Sequence, residues 1–349
     1  MGPLMDFKKT YFIADIAANH DGSLERAKEL IFLAASAGAN AAKFQNFKAE
    51  TIVSKRGFEE LSGNKSHQEK WTKPVMDVYR EAELPISWTE ELIDECKKVG
   101  IDYFTAPYDL EFIDYFAEKM PYFKIGSGDI TWKKSLTKIA SKGLPVLLAT
   151  GASEFSEVVQ AIKVLQEYNI EIVLMQCNTN YTGNEDNFDY LNLRVLETFK
   201  SSFPNLHLGL SDHSQGYVAV LGAVALGARF IEKHFTDDTS RVGPDHEFSL
   251  TPKIWREMVD STRILERALG DGIKKVEDNE IDARVVQRRG LRYSRNIGIG
   301  EVVGRDDLIA LRPCPTGALT PFEEHLVQGR KLMRSVCQDE QVRHSDFEV

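Results

Sequence analysis

From residue 11 to about residue 270, short apolar runs alternate with stretches whose apolar residues recur at helical spacing. In residues 23–37, for example, Leu24, Ala27, Leu30, Ile31 and Ala34 fall on one side of a helix. The pattern predicts strands at 11–16, 41–47, 101–105, 122–125, 145–149, 170–176, 207–210 and 230–232. Helices are predicted at 23–37, 88–99, 111–118, 134–141, 154–168, 191–201 and 216–225, with a closing helix at 253–269. Near-continuous apolar strands belong to a parallel sheet covered on both faces. Eight strand–helix units favour a closed (β/α)8 barrel of the TIM type over an open sheet. Residues 48–86 are polar with few periodic apolar positions, so they read as a long loop lining the active-site face.

After Gly270 the texture changes. Residues 271–287 are highly charged and read as a linker with some helix. From Gly290 onward, short strands and turns rich in Gly and Pro predict a small β-rich domain. The expected organisation is a barrel over 5–270, a linker over 271–287 and a second domain over 288–349.

Composition narrows the partners. The chain has 349 residues, 42% of them hydrophobic, and a formal net charge of -10 with a pI near 5.4. Such a surface repels nucleic acid and anionic membrane, so neither is expected as a partner. Cys96, Cys177, Cys314 and Cys337 are far apart and form no paired motif. That spacing argues for reduced thiols in a cytoplasmic protein and against disulfides or zinc ribbons. No secretory signal pattern opens the chain. The longest apolar run, 217–228, falls short of the ~20 residues that cross a bilayer and reads as a core helix.

In a barrel of this kind the last residues of the strands face the active site. Those positions hold Asp15, Asn19 and His20 after the first strand, and Lys43 and Gln45 on the second. Lys124, Ser127 and Asp129 follow on the fourth, and Asn178 and Tyr181 on the sixth. Ser211, Asp212 and His213 end the seventh strand, and Glu232, Lys233 and His234 the eighth. Lys43 and Lys124 stand in apolar strands, where an unpartnered ammonium costs several kcal/mol. Each could pair with a buried carboxylate such as Asp129 or Glu232. Two lysines at strand ends, beside a Gly126-Ser127-Gly128 turn with free backbone N–H groups, favour a phosphate or carboxylate site. His213 follows the seventh strand and His234 closes the eighth, and the pair reads equally as buried core histidines and as ligands of one divalent metal whose shell water or substrate would complete. Gly243-Pro244-Asp245-His246 reads equally as an ordinary turn and as a loop whose Asp245 orients a polyol. Cys177 reads as buried and inert.

Several segments together resemble the N-acetylneuraminate (sialic acid) synthase family, which includes legionaminic and pseudaminic acid synthases. They are IADIAANHDGS (13–23), AAKFQNFKAE (41–50), FKIGSGDI (123–130), LLATGAS (147–153), LGLSDHS (208–214), ALGARFIEKHFTDD (225–238) and GPDHEFSL (243–250). LRPCPTG (311–317) stands where the family's antifreeze-like C-terminal domain carries a related signature. The resemblance implies that C3 of phosphoenolpyruvate attacks the aldehyde of an open-chain N-acetylated hexosamine such as N-acetylmannosamine. Water adds at C2 and phosphate leaves with C–O cleavage. It assigns His213 and His234 to a divalent metal, Mn²⁺ or Mg²⁺, that polarises the aldehyde. Lys43, Lys124, Ser127 and Ser211 would hold phosphoenolpyruvate, and Gln45, Tyr181 and Asp245 the sugar. Asp15, Lys43, Lys124 and Asp129 would form the catalytic group. Arg312 would reach the N-acetyl group from the other subunit of a domain-swapped homodimer.

The chain departs from the family's pattern in places. Asp15 and Asp129 replace glutamates, which predicts proton transfer through water there. Ala149 and Ala106 replace hydroxyl residues, and 178–180 also differ. The acceptor could therefore be a diacetamido-trideoxyhexose, as in a legionaminic or pseudaminic acid synthase. Two further readings stay open: a synthase of an octulosonate or heptulosonate phosphate, and a sugar-binding protein that has lost catalysis.

Overall fold

The computed structural model describes residues 9–61, 68 and 71–348. Residues 5–8 of the expected barrel domain lie outside the described residues. Eight parallel strands run in the order β3-β2-β1-β8-β7-β6-β5-β4. They are β1 Tyr11–Asp15, β2 Ala41–Asn46, β3 Asp102–Pro107, β4 Phe123–Ile125, β5 Val146–Ala149, β6 Ile172–Cys177, β7 His207–Asp212 and β8 Phe230–His234. β3 and β4 lie side by side and close the ring.

The helices are α1 Leu24–Ser36, α2 Ala49–Ile52, α3 Lys55–Glu60, α4 Val75–Ala82, α5 Thr89–Val99 and α6 Leu110–Ala117. They continue as α7 Lys133–Ala140, α8 Phe155–Gln166, α9 Val195–Ser202, α10 Val218–Ala225 and α11 Pro252–Leu269. α1 begins where the Ser23 hydroxyl accepts the Arg26 N–H, and buries Ala27, Leu30, Ile31 and Ala34. The expected strand–helix alternation is thus the observed one. The long segment after β2 is different. It carries α2, α3 and α4, helices of 4, 6 and 8 residues, too short for a periodic pattern to emerge.

Side chains alternate across each strand, and the ladder register fixes which face the barrel axis. Asp15 lies opposite Lys43 and His234, Lys124 opposite Leu147, and Ser211 opposite Cys177 and Glu232. These residues form the upper layer of the interior. Below them the barrel is apolar. Gly209 sits where a Cβ would come within 2.9 Å of both Met175 Cγ and the Phe230 carbonyl oxygen. Met175 fills the space the glycine leaves. Gly209→Ala is therefore expected to destabilise the barrel by about 1–3 kcal/mol, through overpacking against backbone that cannot move aside. Denaturant titration checks it, and an unchanged midpoint would show that the core yields there.

The chain divides after Gly270. Residues 271–287, expected as a linker, group with the second unit, which spans Asp271–Val349. They contain α12 Ile281–Gln287, and the Val285 carbonyl accepts the Cys314 N–H at 3.0 Å. The second unit pairs β9 Gly290–Tyr293 antiparallel with β10 Leu308–Leu311 and adds isolated bridges. Its own core includes Leu291, Tyr293, Ile297, Val303, Leu332 and Phe347. Among the described residues no helix is long and apolar enough to cross a membrane; the 217–228 run forms α10, with Ala219, Val220, Ala223 and Val224 buried.

Candidate active site

β7 and β8 run further than the sequence pattern predicts. They end at Asp212 and His234, not at Leu210 and Glu232. The polar residues Ser211-Asp212 and Glu232-Lys233-His234 remain in the ladder because each alternate face finds a partner. Outward, Lys233 Nζ donates to Asp212 Oδ2 at 2.6 Å and to the Ser214 carbonyl at 2.7 Å. Inward, Ser211 Oγ donates to Glu232 Oε1 at 3.0 Å.

The strand ends and their loops enclose a cavity of about 380 Å³. Asp15, Lys43, Gln45, Lys124, Ser127, Asp129, Tyr181, Ser211, His213, His234 and Asp245 all line it. The barrel residues assigned a role are therefore in one place. Asn19, His20, Asn178, Asp212 and Lys233, expected at strand ends facing the site, do not line it; Asp212 and Lys233 pair with each other on the opposite face of the ladder. Arg312 belongs to the second unit.

The two lysines do not stand unpartnered, and their counter-ion is not Asp129. Glu232 Oε1 lies 3.4 Å from Lys43 Nζ and 3.6 Å from Lys124 Nζ. Lys43 Nζ also reaches Asp15 Oδ2 at 2.6 Å. Burial depresses the Lys43 pKa, but Asp15 and Glu232 outweigh it and hold the group above its ordinary value. Burial lowers Lys124, and Glu232 restores only part of the loss. Burial would raise Glu232, yet the two lysines and the Ser211 hydroxyl bring it down to about 2. Asp15 is raised by burial, with Lys43 offsetting only part. Lys124 spends its donors on the Ile125 carbonyl at 3.2 Å and the long Glu232 contact. It keeps hydrogen-bonding capacity for an anion in the cavity.

His213 and His234 have ring centroids 5.4 Å apart. Burial drives both imidazoles down to about 3, so both are neutral at neutral pH, the form that ligates metals. His213 Nδ1 is engaged by the Asn178 carbonyl at 2.8 Å, which fixes the tautomer and leaves Nε2 as the free acceptor. His234 Nδ1, Asp15 Oδ1 and Glu232 Oε2 are buried with no hydrogen-bond partner. Among the described residues no three His, Cys, Asp or Glu side chains form a ready-made metal cage. The residues present thus fit a divalent ion held by two imidazoles, with the rest of its shell supplied by water or substrate.

Two carboxyls on the cavity wall are tuned close to neutrality. Desolvation raises Asp129 to about 6 and Asp245 to about 7. Gln45 Nε2 donates to Asp15 Oδ2 at 3.4 Å. The Tyr181 ring stands edge-on to His213, centroids 4.3 Å apart. Cys177 Sγ lies 3.9 Å from His213 Nδ1, but that nitrogen is committed to Asn178, and burial pushes the thiol up. Cys177 is inert.

Sequence reasoning missed the aromatic wall. Phe47, Trp71, Tyr79 and Tyr108 also line the cavity. Tyr79 packs against Phe47 at 5.6 Å and Trp71 at 6.2 Å. The one signal available was the concentration of aromatic residues in and beside an otherwise polar insertion. Glu232 was read as a candidate counter-ion for either lysine, but not as one carboxylate shared by both.

Residues 30–274 match the model of the NeuB family. The chain belongs to the NeuB family. It is 35% identical to N,N'-diacetyllegionaminic acid synthase of Campylobacter jejuni, over 96% of this chain and 99% of that protein. It is 32% identical to pseudaminic acid synthase of the same species, over 97% of each chain. Among solved structures, the N-acetylneuraminic acid (sialic acid) synthetase of Leptospira borgpetersenii, in complex with citrate, superposes with a TM-score of 0.69. That alignment has 31% identity and covers 79% of this chain and 90% of that one. Within this NeuB-family site, the departures noted above fall in different surroundings. Ala149 lines the cavity. Ala106 is buried opposite Gln45 in the β2–β3 ladder. Asp15, though short, still reaches Lys43.

Proposed function

We propose that the protein is a nonulosonate synthase of the sialic acid type. It would condense phosphoenolpyruvate with an N-acetylated hexosamine such as N-acetylmannosamine and release inorganic phosphate. The observation that carries this reading is the convergence of Lys43 and Lys124 with His213 and His234 in one cavity. Family membership and synthase relatives spanning nearly the whole chain support it.

The reaction forms a bond from C3 of phosphoenolpyruvate to the aldehyde carbon. The aldehyde oxygen takes a proton, water adds at C2, and the C2–O bond to phosphate breaks. Lys43, Lys124, Ser127 and Ser211 bind the phosphate and carboxylate; charge-assisted hydrogen bonds are the strong ones here. Gln45, Tyr181 and Asp245 orient the open-chain sugar so that the reacting carbons meet. His213 and His234 are the residues that would hold Mn²⁺ or Mg²⁺, which when bound supplies Lewis-acid polarisation of the aldehyde. Asp129 and Asp245, near neutrality, suit proton transfer at working pH. Asp15, held by Lys43, keeps one oxygen free. The second unit would serve as the antifreeze-like domain, with Arg312 reaching the acceptor's N-acetyl group from a partner subunit.

The test is incubation with phosphoenolpyruvate, Mn²⁺ and a panel of N-acetylated hexosamines. The panel includes diacetamido-trideoxyhexoses and phosphorylated sugars. Phosphate release in step with a nonulosonate mass is expected. Binding of saccharide with no release from any acceptor would overturn the reading.

A further inference from the structure

The loop after β8 turns Asp245 toward the cavity and the next residue, His246, in the opposite sense, into the protein. His246 is completely buried. Its Nε2 lies 2.9 Å from Asp21 Oδ1 and its Nδ1 2.8 Å from Thr236 Oγ1. An ionised carboxylate only accepts, so Nε2 carries a proton, and Nδ1 is bonded to the Thr236 hydroxyl. The ring has no nitrogen left for a substrate. The same three groups in an open cleft would suit nucleophilic catalysis. Here Thr236 is fully buried, and none of the three lines the cavity.

The chain of bonds ties three distant segments together. Asp21 follows β1, Thr236 follows β8, and His246 lies ten residues beyond Thr236. Asp21 holds a left-handed backbone with φ of 50°, a conformation non-glycine residues keep only where their surroundings over-determine it. Arg241 and Arg26 both grip its other oxygen, at 2.7 and 3.0 Å. The loop is seated tightly on the ring: a Cβ on Gly243 would come 2.6 Å from His246 Cδ2. Asp245 itself is tied on the other side, where its Oδ2 accepts the Ala18 N–H at 3.1 Å.

We infer that His246 is a positioning residue, whose two buried hydrogen bonds to Asp21 and Thr236 set the place of Asp245 against the acceptor sugar. The inference rests on the proposed role of Asp245 in binding that sugar. Phosphoenolpyruvate is held by groups on β2, β4 and β7, which this network does not touch. Loosening the strut therefore acts on one substrate and not on the other.

The experiment is steady-state kinetics of the full-length protein with Mn²⁺, varying each substrate in turn. His246→Leu removes both bonds. It is expected to raise KM for the hexosamine by about 10- to 100-fold, the range over which displacement of a positioning group acts, and KM for phosphoenolpyruvate by less than about twofold. His246→Gln, which can still reach Asp21, falls between His246→Leu and the wild type. Asp245→Asn costs much less in the His246→Leu background than alone, because the two changes act through one group. If His246→Leu does not fold, Thr236→Val and Asp21→Ala, each removing one bond from the same ring, carry the test. Equal rises in both KM values, or unchanged KM values with full additivity, overturn the inference. A wild type that releases no phosphate with any acceptor overturns the proposed function itself, and is seen before any variant is compared.

Discussion

Lys124→Met is expected to lower kcat/KM for phosphoenolpyruvate by about 30- to 3,000-fold while the protein stays folded. The range converts the roughly 2–5 kcal/mol lost when one partner of a buried charge pair is truncated, at about 1.4 kcal/mol per decade. Lys124 is the better of the two lysines for this test. Its ammonium makes one hydrogen bond, to the Ile125 carbonyl, and a 3.6 Å contact with Glu232. With Lys124 gone, Glu232 keeps Lys43 at 3.4 Å and the Ser211 hydroxyl at 3.0 Å. Methionine has similar length and suits a buried site. Lys43→Met, in contrast, would strip Asp15 of its 2.6 Å partner and leave two carboxylates facing each other, so lost folding would mask lost binding. The pH dependence gives a second readout. Burial holds Lys124 below the ordinary 10.5, so its charge is lost earlier than that of a free lysine as pH rises. Affinity for phosphoenolpyruvate should weaken on that alkaline limb, and the part of the limb due to Lys124 should vanish in Lys124→Met. Kinetics at fixed acceptor and a thermal melt check both. An unchanged kcat/KM would remove Lys124 from the anion site.

What could be read from the chain and what could not divides along the range of the interactions. Asp15, Lys43, Lys124 and His213 were legible as residues of one cavity because a polar residue at the end of an apolar strand is conspicuous within a few positions. The barrel rule then sends all such ends to one face. Glu232 was legible as a possible partner of either lysine, but not the sharing of one oxygen by both. That sharing depends on β2, β4 and β8 meeting across the barrel, a juxtaposition that no local pattern encodes. The aromatic wall was hidden for another reason: α4 is too short to show a period, so Tyr79 read as a loop residue, and Trp71 is one, its approach to Tyr79 set only by the fold. His246 looked like the end of a turn, because its partner Asp21 stands 225 positions away. The early ends assigned to β7 and β8 have the same origin. Asp212 and Lys233 look like loop residues singly, and are strand residues only as a pair.

That pair supplies the other large effect. Lys233→Met is expected to destabilise the protein by about 3–5 kcal/mol, the cost of leaving a buried charge without its partner. Asp212 and Lys233 are opposite each other in the β7–β8 ladder, with side chains 0% and 1% exposed. They lie on the outer face of the barrel, where no substrate reaches. Asp212 would remain bonded to the Ser214 N–H at 2.9 Å and its hydroxyl at 3.0 Å, yet keep a full charge in an apolar layer. Adding Asp212→Asn removes that charge while keeping an acceptor for Ser214. The double variant should therefore be more stable than Lys233→Met alone, a coupling that denaturant titration of all four species measures. The consequence extends inward. Asp212 stands between Ser211 and His213, and Lys233 between Glu232 and His234. A pair that clamps the two strands from outside also sets the spacing of the two imidazoles. Mn²⁺ titration of the folded double variant should accordingly show weaker binding than the wild type. A loss of stability below about 1 kcal/mol in Lys233→Met, within the range of an ordinary surface substitution, would mean that the ladder holds the site without the pair.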